Sequence, residues 1–503
     1  MSGTTASTIA VALGDHLPTP EQQAAIEAPL APTLVVAGAG SGKTATMAAR
    51  VVHLVVNGQV RPEEVLGLTF TRKAAGELSD RVRGRLAAAR RHFPGIGDLS
   101  APPTLTTYNA FAAALVRDHA LRVGADPDAT LITGAGAWQL MDRIVQSWPD
   151  EVESTLTPAT VVDRALKLAE ALRTNLVSVE EAREGLEGLL EDLEQTREGT
   201  LSKRVREPAD AVRARLALLD IVRAYETRKV ELGLVEFSDQ VALACAIAHR
   251  VPAVGAVLRG QYRVVLLDEF QDTSVAQLGL LADLFGPGHP VMAVGDPHQA
   301  IYGWRGASAA SLTGFRERFA LPGRPVATLS LATSWRNDHA VLAAANALSA
   351  PLRHTAGPEG ALLGPLDPHP GAEAGEVGVS VALTQAEEAA EIARWIGERW
   401  RPGSSAAVLC RARKQFPQVL RALRERGLPA TVVGLSGLLH TPEVVDLRSA
   451  LQVAHDAARG DALMRLLTGA RLGLADLRVL ADWAGVLGGR DGAATETATI
   501  VEA

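Results

Sequence analysis

The 503-residue sequence predicts an α/β protein built on parallel sheet, with a long helical stretch set into its first half. Three observations carry that expectation. A strand, a glycine-rich loop and a helical pattern follow one another from Thr33; further apolar runs alternate with helical patterns; and residues 110–230 lose strand character almost entirely.

In chain order, residues 1–16 read as a flexible polar lead-in. TLVVA from Thr33, VLGLTFT (65–71) and TLTTY (104–108) read as strands. The Leu-, Ala-, Glu- and Arg-rich stretch at 110–230 reads as a helical insertion. Strand character returns in YRVVLLDEF (262–270) and PVMAVGD (290–296), which should pair with the earlier strands. A second α/β region is expected over 309–450, with strands at ATLSL (327–331), VGVSVALT (377–384), AAVLCR (406–411) and ATVVG (430–434). Helices are expected near 337–350, 385–400 and 415–427, and the pattern is helical again over 451–503. The resulting segments are 1–16, 17–109, 110–230, 231–308, 309–450 and 451–503.

The composition, 47% hydrophobic and 21% charged, is that of an ordinary globular chain. No run reaches the roughly 18 unbroken apolar residues of a membrane span. No Lys or Arg precedes the short N-terminal apolar patch, so no secretory leader is expected. Cys245 and Cys410 lack metal-ligand spacing, which points to a cytoplasmic setting and away from a zinc or iron–sulfur centre. A net charge of −7 argues against coating a polyanion by bulk electrostatics. The stretch Thr71 to His92 nevertheless holds seven cationic side chains against two acidic ones, for which a solvated helix face is the plainest account.

The glycine-rich loop is AGAGSGKT: Ala37, Gly38, Ala39, Gly40, Ser41, Gly42, Lys43 and Thr44. Its spacing is that of a P-loop, whose backbone N–H groups turn inward around phosphate oxygens at the positive end of the following helix. Ala37 stands where the strict pattern has Gly, but the strand before and the helix after preserve the context. Lys43 would reach the β and γ phosphates and Thr44 would ligate Mg²⁺, making ATP and Mg²⁺ the expected cofactors. Such a loop needs an acidic element on a neighbouring strand, and Val264–Leu267 followed by Asp268 and Glu269 supplies one. Asp268 would hold Mg²⁺, and Glu269 would position and deprotonate the attacking water.

With these two elements in place, the chain resembles the UvrD/Rep-type superfamily 1A DNA helicases. DEFQDTS (268–274) is similar to their DExx box, GDPHQAIYGWRGA (295–307) to motif III, LTFTRKAAGELSDRV (68–82) to motif Ia, TPEQQAAI (19–26) to the Q motif and SWRN (334–337) to motif IV. The resemblance implies two RecA-like domains with ATP between them, the first interrupted by a helical 1B insertion and the second by the start of a 2B insertion. It implies that Gln22 reads the adenine edge, that Gln299 sits between the γ-phosphate and DNA, that Arg336 brings positive charge to the γ-phosphate, and that Trp335 stacks on adenine where the family usually has Tyr. It further implies that single-stranded DNA and DNA ends are bound, with Phe70, Tyr302 and Trp304 as base platforms and Arg72 and Lys73 on the phosphate backbone.

Some positions depart from the family. Ala45 replaces the usual Arg or Glu after Thr44, and Tyr108-Asn109-Ala110 replaces Phe-His-Ser. His298 reads as a surface residue. The runs VRPEEVLGLTFTRKAAGELSDRV and DPHQAIYGWRGAS resemble the actinobacterial AdnA/AdnB helicase–nucleases, AdnB most, and VVGLSGLLHTPEVVDL (432–447) resembles the segment leading into their 2B insertion. Motifs V and VI and a nuclease signature are not found, so the expectation is a chain that stops inside 2B. The function expected is ATP-driven 3′→5′ translocation and unwinding in DNA repair or double-strand-break processing, with a second helicase–nuclease subunit as the candidate heterodimer partner. The alternative is a nucleotide-gated DNA-binding subunit or fragment that does not turn over alone.

Overall fold

The computed structural model describes residues 3–96, 101–149, 156–195, 203–303, 310–355, 364–433, 441–455, 459–470 and 472–490. Two compact units divide at Val377 and Gly378.

The first unit is organised by a six-stranded, all-parallel sheet. In chain order its elements begin with helices α1 (Ala6–Leu13) and α2 (Pro20–Ile26), strand β1 (Thr33–Ala37), α3 (Lys43–Val56), β2 (Val65–Thr69), α4 (Arg72–His92), β3 (Thr104–Thr107) and α5 (Tyr108–His119). There follow β4 (Thr130–Leu131), α6 (Gly134–Gln146), α7 (Pro158–Asn175), α8 (Val179–Gln195), α9 (Lys203–Glu231), β5 (Leu234–Val235), α10 (Phe237–Arg250) and α11 (Pro252–Gln261). The unit continues through β6 (Val264–Leu267), α12 (Val275–Phe285), β7 (Val291–Gly295), α13 (Ala310–Phe319), β8 (Ala327–Leu331), β9 (Thr333–Ser334), α14 (His339–Thr355) and β10 (Asp367–Pro368). The order across the sheet is β3-β2-β6-β7-β1-β8.

The central strands are unbroken apolar runs because both their faces are covered. Alternate side chains enter opposite cores: Leu34, Val36, Val265 and Leu267 pack with α5, α10 and α12, while Val35, Ala37, Val264 and Leu266 pack with α3 and α4. The insertion has its own core, in which Met141, Val162, Ala165, Ile221 and Tyr225 join α6, α7 and α9. Short parallel strands β4 and β5 pair where the insertion leaves and rejoins the main body.

Several boundaries differ from the sequence-based expectation. The 1–16 segment is not a loose lead-in: Thr5 caps α1, Ile9 is buried, and Glu27 accepts the Ala6 N–H at 2.7 Å. Its small and aliphatic residues find a groove on α3 and α4 that local polarity does not reveal. The insertion does not begin at 110, because Phe111, Ala112, Leu115 and Val116 of α5 belong to the core beneath the sheet. Nor does a separate α/β region begin at 309. Strand β8 completes the first sheet beside β1, with Ala37 opposite Leu331, and Phe315 and Phe319 of α13 are buried in its core.

In the second unit, helices Gln385–Arg399 and Phe416–Glu425 pack on each other and helices Pro442–His455, Gly460–Gly469 and Leu474–Arg490 follow. The strands expected at 377–384, 406–411 and 430–434 are absent among the described residues, with Gly434 outside them. These runs join no ladder among the described residues, and Val379, Val381, Leu383 and Leu409 are exposed. Apolar β-branched sequence makes a segment able to join a ladder; a ladder also needs a neighbour. Part of the 432–447 run likewise lies outside the described residues. No single described helix is long and apolar enough to cross a membrane.

Candidate active site

The loop after β1 is shaped by contacts from three directions. Gly40 and Gly42 have φ values of 76° and 82°, a conformation that L side chains resist. Space is equally restrictive: a Cβ on Gly40 would lie 2.7 Å from both Ser334 Oγ and Arg336 Cβ, and one on Gly42 would lie 2.9 Å from Gln22 Nε2. Gln22 donates through Nε2 to Ser41 O at 3.0 Å, and the Trp335 backbone N–H donates to Gly40 O at 2.8 Å. Helix α3 then starts at Lys43, so the Lys43 and Thr44 side chains and the free N–H groups of its first turn share one corner.

Asp268 and Glu269 leave the carboxyl end of β6. That strand is not directly beside β1; β7 lies between them. The gap is bridged by side chains, since Lys43 Nζ lies 3.2 Å from Glu269 Oε2. Glu269 adopts φ 48°, one of two positive-φ non-glycine residues among those described. This left-handed turn folds the chain back into a short 3₁₀ segment, Phe270–Asp272. The Asp268 carboxylate accepts the Glu269 N–H at 3.0 Å, and Tyr108 donates its hydroxyl to Asp268 O at 2.9 Å.

The electrostatics of this corner are those of crowded carboxylates. Burial, then the neighbouring Glu269 charge, raises Asp268 to about 6 against the opposing pull of Lys43. Asp272 is raised to about 6 by the same causes. Burial, then the negative charges of Asp268, Glu269 and Asp272, also raises the Tyr108 hydroxyl well above its ordinary value.

Two features fit a magnesium–triphosphate. The hydroxyls Ser41 Oγ and Ser334 Oγ are enclosed without a protein partner at the loop. Thr44 and Asp268 offer hard oxygen donors of the kind Mg²⁺ takes, with phosphate oxygens and water completing its shell. Among the described residues no group of three or more His, Cys, Asp or Glu forms a metal site by itself.

Other expected site residues are distributed as follows. Gln299 follows β7, and its side-chain amide donates to the Asp296 carboxylate. Trp335 is 40% exposed, its ring stacked with His369 at 5.4 Å and His16 at 6.3 Å. Arg336 is exposed, with its Cβ against the loop at Gly40. Trp335 and Gln22 line a cavity of about 400 Å³ beside the loop, together with Ala45, Arg85 and apolar residues of α1. Elsewhere, Phe70 and Tyr302 meet with ring centroids 4.8 Å apart. Arg72 and Lys73 open α4 on an exposed face. Trp304 lies outside the described residues. His298 is half-buried rather than superficial, with Nε2 enclosed and unpartnered, because the 3₁₀ turn at Pro297–Gln299 folds it inward.

Sequence reading missed two polar side chains that organise the site. Gln271, 1% exposed, donates to Glu269 Oε2 at 2.8 Å and accepts the Asp296 N–H at 2.9 Å. Arg50 of α3 is also 1% exposed and donates to the carbonyls of Ala25, Ile26, Ala28 and Pro29. It closes the C-terminal end of α2, the helix that presents Gln22, and burial lowers its pKa to about 10.

Comparison with known proteins agrees with this geometry. Residues 18–320 match the UvrD/REP helicase N-terminal domain. The ATP-dependent DNA helicase UvrD2 of Mycobacterium tuberculosis is 32% identical over 459 residues, covering 90% of this chain and 61% of the relative, as is that of Mycobacterium bovis. The ATP-dependent DNA helicase PcrA of Staphylococcus aureus is 24% identical over 461 residues, covering 91% of this chain and 56% of the relative. The chain thus spans about three-fifths of the length of these curated relatives. The glycine-rich loop and the acidic strand end that faces it both lie within residues 18–320, and the match of those residues to this domain model places the chain in the UvrD/REP helicase family.

Proposed function

We propose that this chain is the ATP-binding part of a single-stranded DNA translocase and helicase. The observation that carries the reading is the Lys43–Glu269 contact, 3.2 Å, at the carboxyl end of the parallel sheet with Asp268 alongside. In this reading the loop N–H groups and Lys43 hold the triphosphate, and Thr44 and Asp268 hold Mg²⁺. The metal would neutralise charge on the β and γ phosphates. Glu269 draws the proton from an attacking water, oriented by its hydrogen bond from Gln271. Gln22 reads the base edge, with an amide that both donates and accepts, and Trp335 supplies a stacking face. Arg336 adds positive charge towards the γ-phosphate.

DNA would run over the other end of these motifs. The Phe70 and Tyr302 rings, with Trp304, serve as base platforms. Arg72 and Lys73 sit in the first turn of α4, where cations oppose the helix dipole and an anion is favoured, so phosphate there relieves both. Gln299 lies between Asp296, which Gln271 ties to Glu269, and Tyr302, which suits a residue that passes the hydrolysis state to DNA. Translocation 3′→5′, a role in double-strand-break processing, cytoplasmic location, AdnB-like character and a heterodimeric partner extend this reading; the motif Ia and III runs support the AdnB likeness.

The test is phosphate release by the purified protein with ATP and Mg²⁺, with and without oligo(dT). DNA-stimulated turnover is the expected result. Failure to bind ATP overturns the reading, and DNA-sensitive ATP binding without turnover selects the nucleotide-gated subunit instead.

A further inference from the structure

We propose that Arg85 is a nucleotide-contacting residue, reaching from α4 into the cavity beside the phosphate loop to hold the adenosine end of ATP. The inference rests on the nucleotide-site reading above.

Helix α4 carries many cations, but only one is drawn inward. Arg72, Arg81, Arg83, Arg90 and Arg91 are exposed, whereas the Arg85 side chain is 23% exposed. Its position explains this. The buried face of α4 runs through Leu78, Val82, Leu86 and Ala89, and Arg85, three residues after Val82, stands at its margin. From there the guanidinium crosses to the start of α3, where Nη1 faces Ala45 O at 3.4 Å, and Nη2 pairs with Asp15 Oδ2 at 3.1 Å just beyond α1.

The surroundings specify the ligand chemistry. Arg85 lines the same cavity of about 400 Å³ as Gln22, Gly42 and Trp335. The remaining wall is largely apolar, with Ile9, Leu13, Leu17 and Val52, which suits a base and sugar better than a phosphate. Lys43 and the loop serve the phosphate end. A guanidinium has five N–H donors, and the two contacts just described leave donors for ribose hydroxyls or a base nitrogen. The Asp15 pairing holds the head of the side chain at the cavity instead of letting it extend into solvent.

The test is calorimetric titration of the purified chain with ATP and, separately, with inorganic tripolyphosphate, both with Mg²⁺. Arg85→Ala should weaken ATP about tenfold, the scale of one charged hydrogen bond, and leave tripolyphosphate unchanged. Arg85→Lys should recover part of the loss. Asp15→Asn keeps the guanidinium but loosens its ion pair, so it should weaken ATP by less than Arg85→Ala and also leave tripolyphosphate unchanged. Unchanged ATP affinity in Arg85→Ala overturns the assignment. So does equal weakening of both ligands, since that shows a purely structural tether. A wild-type protein that binds neither ligand overturns the nucleotide-site reading and this assignment with it.

Discussion

The side-chain amide of Gln271 donates to the Glu269 carboxylate at 2.8 Å while its oxygen accepts the Asp296 backbone N–H at 2.9 Å. One buried residue therefore ties the carboxylate expected to activate water to the strand end that leads to Gln299. Gln271→Ala should keep ATP affinity and lower the turnover number ten- to a hundredfold, because a general base displaced by an ångström loses that much. The same change strands the Asp296 N–H in the interior and should cost about 1–3 kcal/mol of stability. Quench-flow turnover and a urea titration read the two effects separately. Turnover equal to wild type would remove Gln271 from the machinery.

Lys43 and Glu269 touch each other yet should fail differently. Lys43→Ala removes the cation proposed to meet the triphosphate and should abolish tight ATP binding. Glu269→Gln keeps the shape and the left-handed turn, so it should retain ATP and stop hydrolysis. Equilibrium binding beside single-turnover hydrolysis distinguishes them, and a Glu269→Gln protein with normal turnover would sink the water-activation role.

The raised Asp268 and Asp272 carboxyls set a pH dependence. Each titrates near 6 in the folded chain against an ordinary value of 3.8, so between those values the folded state holds more protons than the unfolded one. Their stabilising contribution is complete below pH 3.8 and is lost as the pH rises through 6. Without nucleotide, the part of the melting temperature these groups control should fall between about pH 4 and 6 and level off above that, and Asp268→Asn should flatten that slope. In the proposed site magnesium takes the ionised Asp268 carboxylate, so magnesium–ATP affinity should climb over the same interval. A slope unchanged by Asp268→Asn would refute the assignment.

Much of this corner was legible in the sequence because its signals are local. The strand, glycines and helix around Lys43 are contiguous, and Asp268 and Glu269 follow directly on four apolar residues. Gln271 was not legible. Its partner Asp296 is distant in sequence, and nothing nearby marks a glutamine as interior. The same holds for Arg50, Arg85 and the seat of α1, which depend on surfaces assembled from separated segments. The runs at 377–384 and 406–411 show the opposite case: their pattern is strand-like, but pairing is a relation between segments and no pattern within one supplies it.

The meeting of Phe70 and Tyr302 at 4.8 Å predicts a shared platform. Each ring removed should weaken oligo(dT) binding by about 1–3 kcal/mol, the worth of one stacked base. Because the rings touch, the double variant Phe70→Ala/Tyr302→Ala should lose less than the sum of the single losses. Fluorescence anisotropy with a labelled oligonucleotide measures all three, with ATP affinity as the control. Single variants that bind DNA like the wild type would return both rings to simple packing.

Lys229 occupies the junction where the helical insertion rejoins the main body, and it is 2% exposed. Its ammonium lies 2.7 Å from Asp239, 3.0 Å from Glu236 and 3.2 Å from Glu226, and 4.9 Å from the Tyr225 ring centroid. Burial pulls its pKa down, but the three carboxylates outweigh burial and raise it, so the residue is charged in the interior. Arg173 is the other cation there, 3.3 Å from Asp239 and paired with Glu226. Lys229→Met should therefore leave carboxylates buried without enough positive charge and cost about 3–5 kcal/mol, the scale for breaking a buried pair. If charge rather than packing is responsible, Lys229→Met/Asp239→Asn should recover more than half of the loss, and denaturant melts compare the two directly. A double variant no more stable than Lys229→Met would mean that the charge balance with Asp239 does not account for the loss.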